Sequence, residues 1–224
     1  MTWVAAFFFT TLGNLALWQT LWSKVEVSSL HGVLFFISLP VFLFCFLNLL
    51  LTPVMMLPYL RKILLALLVI ISASCSYFML SYNILIDRSM VQNVFETNHA
   101  ELAAWFSLPL LLRLFLLGGV PAAALVLLPV KKIGRPIPTL LWWLMHIVVT
   151  MTLFAAITLT FYKDYASLLR NNMQIKDQVL PFNVVRNTHG YLKRKFHANA
   201  HLLRSVARGA TRPTPEAGNP PNPV

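Results

Sequence analysis

Between two long apolar segments lies a polar interval, Asp87 to Phe106, reading D-R-S-M-V-Q-N-V-F-E-T-N-H-A-E-L-A-A-W-F, and it holds three of the chain's seven acidic residues. Asn93, Thr97 and Glu101 stand four residues apart, so on one helix their side chains drift by only about 80° over about 12 Å of rise. A carboxamide, a hydroxyl and a carboxylate then share one stripe and offer hydrogen bonds and a negative charge. A second arc, about 120° away, carries Val91, Val94, Phe95, Leu102, Trp105 and Phe106, with Asn98 interrupting it, and would let the helix lie in a membrane interface. Two readings of the stripe stand. It is a connector whose polar residues meet water and headgroups, or it is a surface that faces a substrate.

Other reactive residue types are sparse. Ser72, Ser74 and Ser76 lie in the run S-A-S-C-S with no His or acid near in sequence to activate one, so they read as close-packing residues and not as nucleophiles. Cys45 and Cys75 both lie inside apolar runs and form no C-x-x-C or zinc-ligand spacing. His146 is the one ionisable residue of its apolar run, and with no second ligand at helical spacing it reads as a neutral histidine hydrogen-bonded to a neighbouring helix. Arg113 falls about two turns inside another run, where a cation must snorkel to the nearer surface or pair, with Glu101 or a lipid phosphate as partner.

The elements that must position these residues are membrane helices. The chain has 224 residues, 58% hydrophobic and only 11% charged, and its apolar runs of about 20 residues match a hydrocarbon layer of about 30 Å. The expected spans are Trp3 to Trp22, Gly32 to Leu51, Ile63 to Ile86, Ser107 to Val130 and Pro138 to Tyr162. Pro40 should kink the second, and Gly118, Gly119 and Pro121 should weaken the middle of the fourth. The fold class is thus an all-α membrane protein with five transmembrane helices, an interfacial helix in the third extramembrane loop and a disordered C-terminal linker. Three regions follow: 1–162 as the transmembrane domain, 163–206 as a juxtamembrane segment, and 207–224, rich in Pro and Gly, as a linker.

The net charge of +11 is uneven, with ten basic and three acidic residues from Lys163 onward. A basic, partly apolar segment beside a membrane suits anionic headgroups or phosphates, and no motif points to nucleic acid. The two acid-free basic loops, at Arg61-Lys62 and at Lys131 to Arg135, favour the cytoplasm. That orientation puts the polar interval and the C-terminal segment outside.

Two stretches carry a resemblance. I-D-R-S-M-V-Q-N-V-F-E-T from Ile86 to Thr97, followed by Glu101, and F-Y-K-D-Y-A-S-L-L-R-N-N from Phe161 to Asn172 resemble the membrane domain of the lipid A phosphoethanolamine transferases, which include the mobile colistin resistance enzymes. S-L-H-G-V-L-F-F-I-S-L-P from Ser29 to Pro40 and N-I-L-I-D-R-S from Asn83 to Ser89 are similar too, so the likeness covers residues 1 to about 190. The resemblance implies an inner-membrane anchor, with its C-terminus in the periplasm, for a periplasmic zinc-dependent catalytic domain. That domain moves phosphoethanolamine from phosphatidylethanolamine to an enzyme threonine and then to a lipid A phosphate, which underlies polymyxin resistance. It also implies that Asn93, Thr97 and Glu101 bind the donor headgroup, with Glu101 pairing to the ammonium and the other two bonding phosphate or ester oxygens. The family's V-G-E-T nucleophile segment and its zinc ligands are not among these 224 residues. The expectation is therefore an anchor and donor-lipid half that is not catalytic by itself; the alternative is a stand-alone membrane scaffold or regulator.

Overall fold

The computed structural model describes residues 2–57, 60–97, 105–127 and 136–208, and side chains within them except at 136–139 and 197–208. Among these residues the structure is helical, with no strand. Five spans are long and apolar enough to cross a membrane: Thr2–Lys24, Leu30–Met56, Arg61–Tyr82, Leu108–Leu127 and Leu140–Thr160. The five-helix expectation therefore holds, with three changes of detail.

The first span is not one helix. It consists of α1 (Thr2–Thr10), a 3-10 turn (Leu12–Asn14) and α2 (Leu15–Lys24). α3 (Leu30–Met56) starts on Ser29, whose hydroxyl accepts from the Gly32 amide at 3.0 Å, as an N-cap should. It then runs through both Pro40 and Pro53, past the expected end of the span at Leu51. α4 (Arg61–Tyr82) stops four residues before Ile86 because Asn83 takes the left-handed conformation at φ 54, which short polar side chains tolerate at a helix end.

α5 (Arg88–Glu96) follows, then α6 (Leu108–Arg113), a π-helical turn (Leu114–Gly119) and α7 (Val120–Leu127) in one span. Pro121 has no N–H to donate, and the widened turn before it absorbs the misfit without ending the helix. α8 (Pro136–Thr160) leads into α9 (Tyr162–Asn171), a 3-10 turn (Met173–Asp177) and α10 (Phe182–Arg208). α10 continues to Arg208, past the expected start of the linker; residues 209–224 lie outside the described residues.

α1 packs on α3, α3 on α8, and α4 on the α6–α7 span. Lipid tails are as apolar as leucine, so these contacts hold by close fit and not by exclusion of water. Phe42 stacks on Phe154 at 4.7 Å and on Tyr165 at 4.6 Å, carrying the α3–α8 seam into α9. On α4 the small-residue run does what its composition suggested. Ser72, Ala73 and Ser76 are buried, and Gly118 approaches so closely that a Cβ there would lie 3.3 Å from the Ala73 Cβ.

This contact gives a direct test of the packing. Gly118→Leu must displace α4, at a cost of about 1 to 3 kcal/mol, whereas a Cβ at Gly119 would find its nearest atoms at 3.8 Å. Thermal unfolding in detergent, followed by far-ultraviolet circular dichroism, should show a lowered midpoint for Gly118→Leu and almost none for Gly119→Ala. Equal midpoints would place the α4 contact elsewhere.

Candidate functional site

The polar interval is built from its N-terminal end. The Asp87 carboxylate accepts from the Met90 amide at 2.8 Å and from the Ser89 hydroxyl at 2.7 Å, which caps α5. Those two bonds, the amide first, hold its carboxyl below the usual carboxylate range. The cap is therefore fully present above the ordinary value near 4 and is lost as pH falls through the lowered one.

α10 clasps this short helix. Asn187, itself buried, donates its amide to the Ile86 carbonyl at 2.7 Å. The Arg88 guanidinium lies flat against Gly190, where a Cβ would sit only 3.0 Å from Nε and Nη2, so glycine is what admits the arginine. Phe95 stacks on Tyr191 with ring centroids 5.2 Å apart and planes 9° from parallel. Val91 is buried in one cluster with Ile86, Leu180 and Tyr191, while Val94 and Phe95 remain largely exposed.

The structure brings Asn93 and Thr97 together but not by the helix expected from 87 to 106. α5 ends at Glu96, and Thr97 is extended at φ −67, ψ 138. The Thr97 amide and hydroxyl both donate to the Asn93 carbonyl, at 2.8 and 2.5 Å. The same hydroxyl bond to the carbonyl four residues back occurs inside continuous helices at Thr52 and Thr150, so it is the extended Thr97 backbone that marks the end of α5. In making its bond the Thr97 hydroxyl has spent its proton and can offer a ligand only its acceptor lone pairs. Asn93 is exposed and Thr97 half-buried. Glu101, Asn98 and Leu102 lie outside the described residues. Trp105 leaves the expected apolar arc and packs instead on Phe78 and Tyr82 of α4, at 5.7 and 6.0 Å. On α5 itself, Gln92 donates to both Glu96 oxygens at 3.1 and 3.2 Å, which occupies the remaining acidic group.

His146 is hydrogen-bonded as its surroundings suggested. Its Nε2 meets the Asn48 Oδ1 at 2.8 Å, and its Nδ1 accepts from the Trp3 indole at 3.1 Å. The neutral ring with its proton on Nε2 satisfies both contacts, since Nδ1 must be free to accept. Among the described residues no group of three or more His, Cys, Asp or Glu could hold a metal ion. Arg113 is half-buried at the end of α6, and its suggested partner Glu101 is outside the described residues.

Two clefts open near the same end of the bundle. One, of about 440 Å³, is lined by Gln19, Thr20, Ser23, Met79, Asn83 and Gln178 among others. The second, of about 410 Å³, is lined by Lys24, Glu26, His31, Asp164 and Asn171 among others, and His31 Nε2 meets Asp164 Oδ2 there at 3.1 Å. Neither is lined by Asn93 or Thr97.

What sequence reasoning missed is Asn14, fully buried within the first span. The one signal was Gly13-Asn14 in the middle of an apolar run.

A family model described as phosphoethanolamine transferase EptA/EptB matches residues 43–196. The phosphoethanolamine transferase EptA of Escherichia coli (strain K12) is 32% identical over 201 residues, 90% of this chain and 37% of that protein. The Escherichia coli phosphatidylethanolamine transferase Mcr-1 is 28% identical over 178 residues, 79% of this chain and 32% of its own. Among solved structures, the integral membrane protein lipooligosaccharide phosphoethanolamine transferase A (EptA) from Neisseria meningitidis matches with a TM-score of 0.83 at 27% identity, over 88% of this chain and 37% of that one. The chain thus spans about a third of the length of these relatives.

The clasp on α5 can be tested by deuterium exchange. Asn187→Ala would leave the Ile86 carbonyl buried without a donor, at a cost of about 1 to 3 kcal/mol. Amides of α5 should exchange faster while those of α3 keep their rate. Lowering the pH through the Asp87 range should do the same in the parent chain once intrinsic rates are divided out. An α5 that exchanges at the parent rate in Asn187→Ala would mean that α10 does not hold it.

Proposed function

Because the chain belongs to the phosphoethanolamine transferase EptA/EptB family, we propose that it forms the membrane anchor and the phosphatidylethanolamine-binding part of a transferase that modifies lipid A phosphates. In this reading it sits in the bacterial inner membrane with its C-terminus in the periplasm, facing a periplasmic catalytic domain. The whole enzyme would then contribute to polymyxin resistance.

Binding falls to Asn93, Thr97 and Glu101. The Glu101 carboxylate pairs with the donor ammonium. Asn93 donates through its carboxamide to phosphate or ester oxygens, and Thr97 lends an acceptor oxygen. The observation that carries the proposal is the exposed Asn93 carboxamide beside Thr97 on a short helix that α10 clasps. Such a helix presents its polar residues at a set height, which lowers the cost of ordering them around a headgroup. Zinc, which the family resemblance implies, finds no fitting ligand cluster among the described residues. We place it in the family's remaining length.

Retention of donor lipid tests the proposal. In native mass spectra of the detergent-solubilised chain, Glu101→Ala should retain phosphatidylethanolamine about ten- to a hundredfold less well, from the loss of a charged hydrogen bond worth roughly 1.5 to 3 kcal/mol. Glu96→Ala is the control, since Glu96 is already bonded to Gln92. Equal retention by both variants would reduce the stripe to an interfacial connector.

A further inference from the structure

The cleft of about 440 Å³ between α2 and α4 is polar without being charged. Carboxamides of Gln19, Asn83 and Gln178 and hydroxyls of Thr20 and Ser23 line it, and among the described residues none that lines it is ionisable. The second cleft, by contrast, holds Lys24, Glu26, His31 and Asp164. Gln178 is only 7% exposed, yet its Oε1 has no hydrogen-bond partner among the described residues. A buried acceptor is seldom left so, because its lost hydration is not repaid. The Thr20 hydroxyl donates to the Ala16 carbonyl at 3.2 Å and the Ser23 hydroxyl to the Thr20 carbonyl at 2.8 Å. Both therefore offer a ligand only lone pairs. The exposed side chains of Gln19 and Asn83 have no partner among the described residues.

This inventory narrows the ligand. The oxygens of the three carboxamides and two hydroxyls call for donors, while the Gln19 and Asn83 N–H groups call for acceptors. Neighbouring hydroxyl groups supply both. A phosphate brings lone pairs and charge against the Gln178 oxygen, and an ammonium finds no carboxylate to offset its desolvation. An uncharged polyol meets the lining without either conflict. Position adds that the ligand carries a chain. Ser23 stands one residue before the end of the span Thr2–Lys24, and Asn83 one residue beyond the end of Arg61–Tyr82, so the mouth lies where two spans end together. From there the cleft reaches along α2 to buried Ala16, a depth of about 10 Å, past Met79 and Leu80 of α4.

We propose that this cleft binds the sugar head of a glycolipid, with Gln178 Oε1 accepting from a sugar hydroxyl and Met79 and Leu80 lying against the start of its chain. A few placed polar groups on an otherwise apolar wall are the usual make-up of a small-molecule site, and the volume falls within the common range of about 300 to 1,000 Å³. The site goes beyond the donor reading and does not rest on it, since neither Asn93 nor Thr97 lines the cleft.

Native mass spectra of the full chain released from phosphatidylcholine nanodiscs test this. The discs carry monoglucosyl diacylglycerol or phosphatidylethanolamine with the same acyl chains, and a third preparation receives free glucose instead. The parent chain should retain the glucolipid about tenfold over phosphatidylcholine at equal mole fraction, and free glucose far less. Gln178→Leu should lower glucolipid retention about tenfold, through the loss of one buried hydrogen bond, and leave phosphatidylethanolamine retention unchanged. Its thermal midpoint should match or exceed the parent's, because the change removes an acceptor that has no partner. Gln19→Leu, at an exposed position of α2, should lower glucolipid retention severalfold. Retention no better than that of phosphatidylcholine, or equal in the parent and both variants, would overturn the proposal. So would free glucose held as well as the glucolipid, or a parallel fall of phosphatidylethanolamine in Gln178→Leu, which would mean a general loss of lipid packing.

Discussion

One buried carboxamide joins the two ends of this structure. Asn14, with no exposed surface, accepts from the Leu180 amide and donates to the Leu180 carbonyl, each at 2.7 Å, and also donates to the Phe9 carbonyl at 2.7 Å. It can do so because the first span breaks at Leu12–Asn14. The break leaves helix carbonyls without intrahelical donors. Inside a membrane such groups must be met by protein, since no water is present to meet them. The Trp18 indole answers the Thr10 carbonyl at 2.6 Å in the same way. The interruption thus makes a socket into which a residue 166 positions away plugs by both backbone groups.

From that point the contacts run outward in sequence. Leu180 fixes the entry to α10, Phe182 meets Phe46 of α3 at 5.2 Å, and Arg186 pairs with Asp177. Asn187 then takes the Ile86 carbonyl, Gly190 admits Arg88, and Tyr191 supports Phe95. The polar residues of α5 are therefore placed by the juxtamembrane segment as much as by the span that precedes them. In the proposed function this links donor binding to the segment that leads on along the chain, so the headgroup surface and the path of the C-terminal residues share one mechanical base.

Much of this was legible in the sequence because it obeys simple rules. Long apolar runs gave five spans, and the serines and alanine of α4 marked the face that Gly118 meets. His146 was readable as a neutral hydrogen-bonded residue because nothing near it could ligate a metal with it. The helix from 87 to 106 was overextended for an equally physical reason. A periodicity of four persists through Asn93, Thr97 and Glu101, but the Thr97 hydroxyl bonds the Asn93 carbonyl and its backbone turns extended. Periodicity shows which face a residue would take and is silent on where the backbone leaves the helix. Asn14 was missed because its partner is a backbone group far along the chain, which no local pattern encodes. Asn93, Thr97 and Glu101 were singled out by spacing, and only the resemblance separated a substrate surface from an ordinary connector.

In the proposed function, anchoring at Asn14 sets the position of the donor-headgroup surface. Asn14→Ala touches no residue of the proposed headgroup surface, yet it would leave both Leu180 backbone groups without their partners. Retained phosphatidylethanolamine in native mass spectra of this variant is the direct measurement, taken alongside circular dichroism to confirm that the spans remain helical. The expected result is intact helicity with donor-lipid retention reduced at least tenfold, equivalent to roughly 1.4 kcal/mol. Retention at the parent level in a helical Asn14→Ala chain would contradict it.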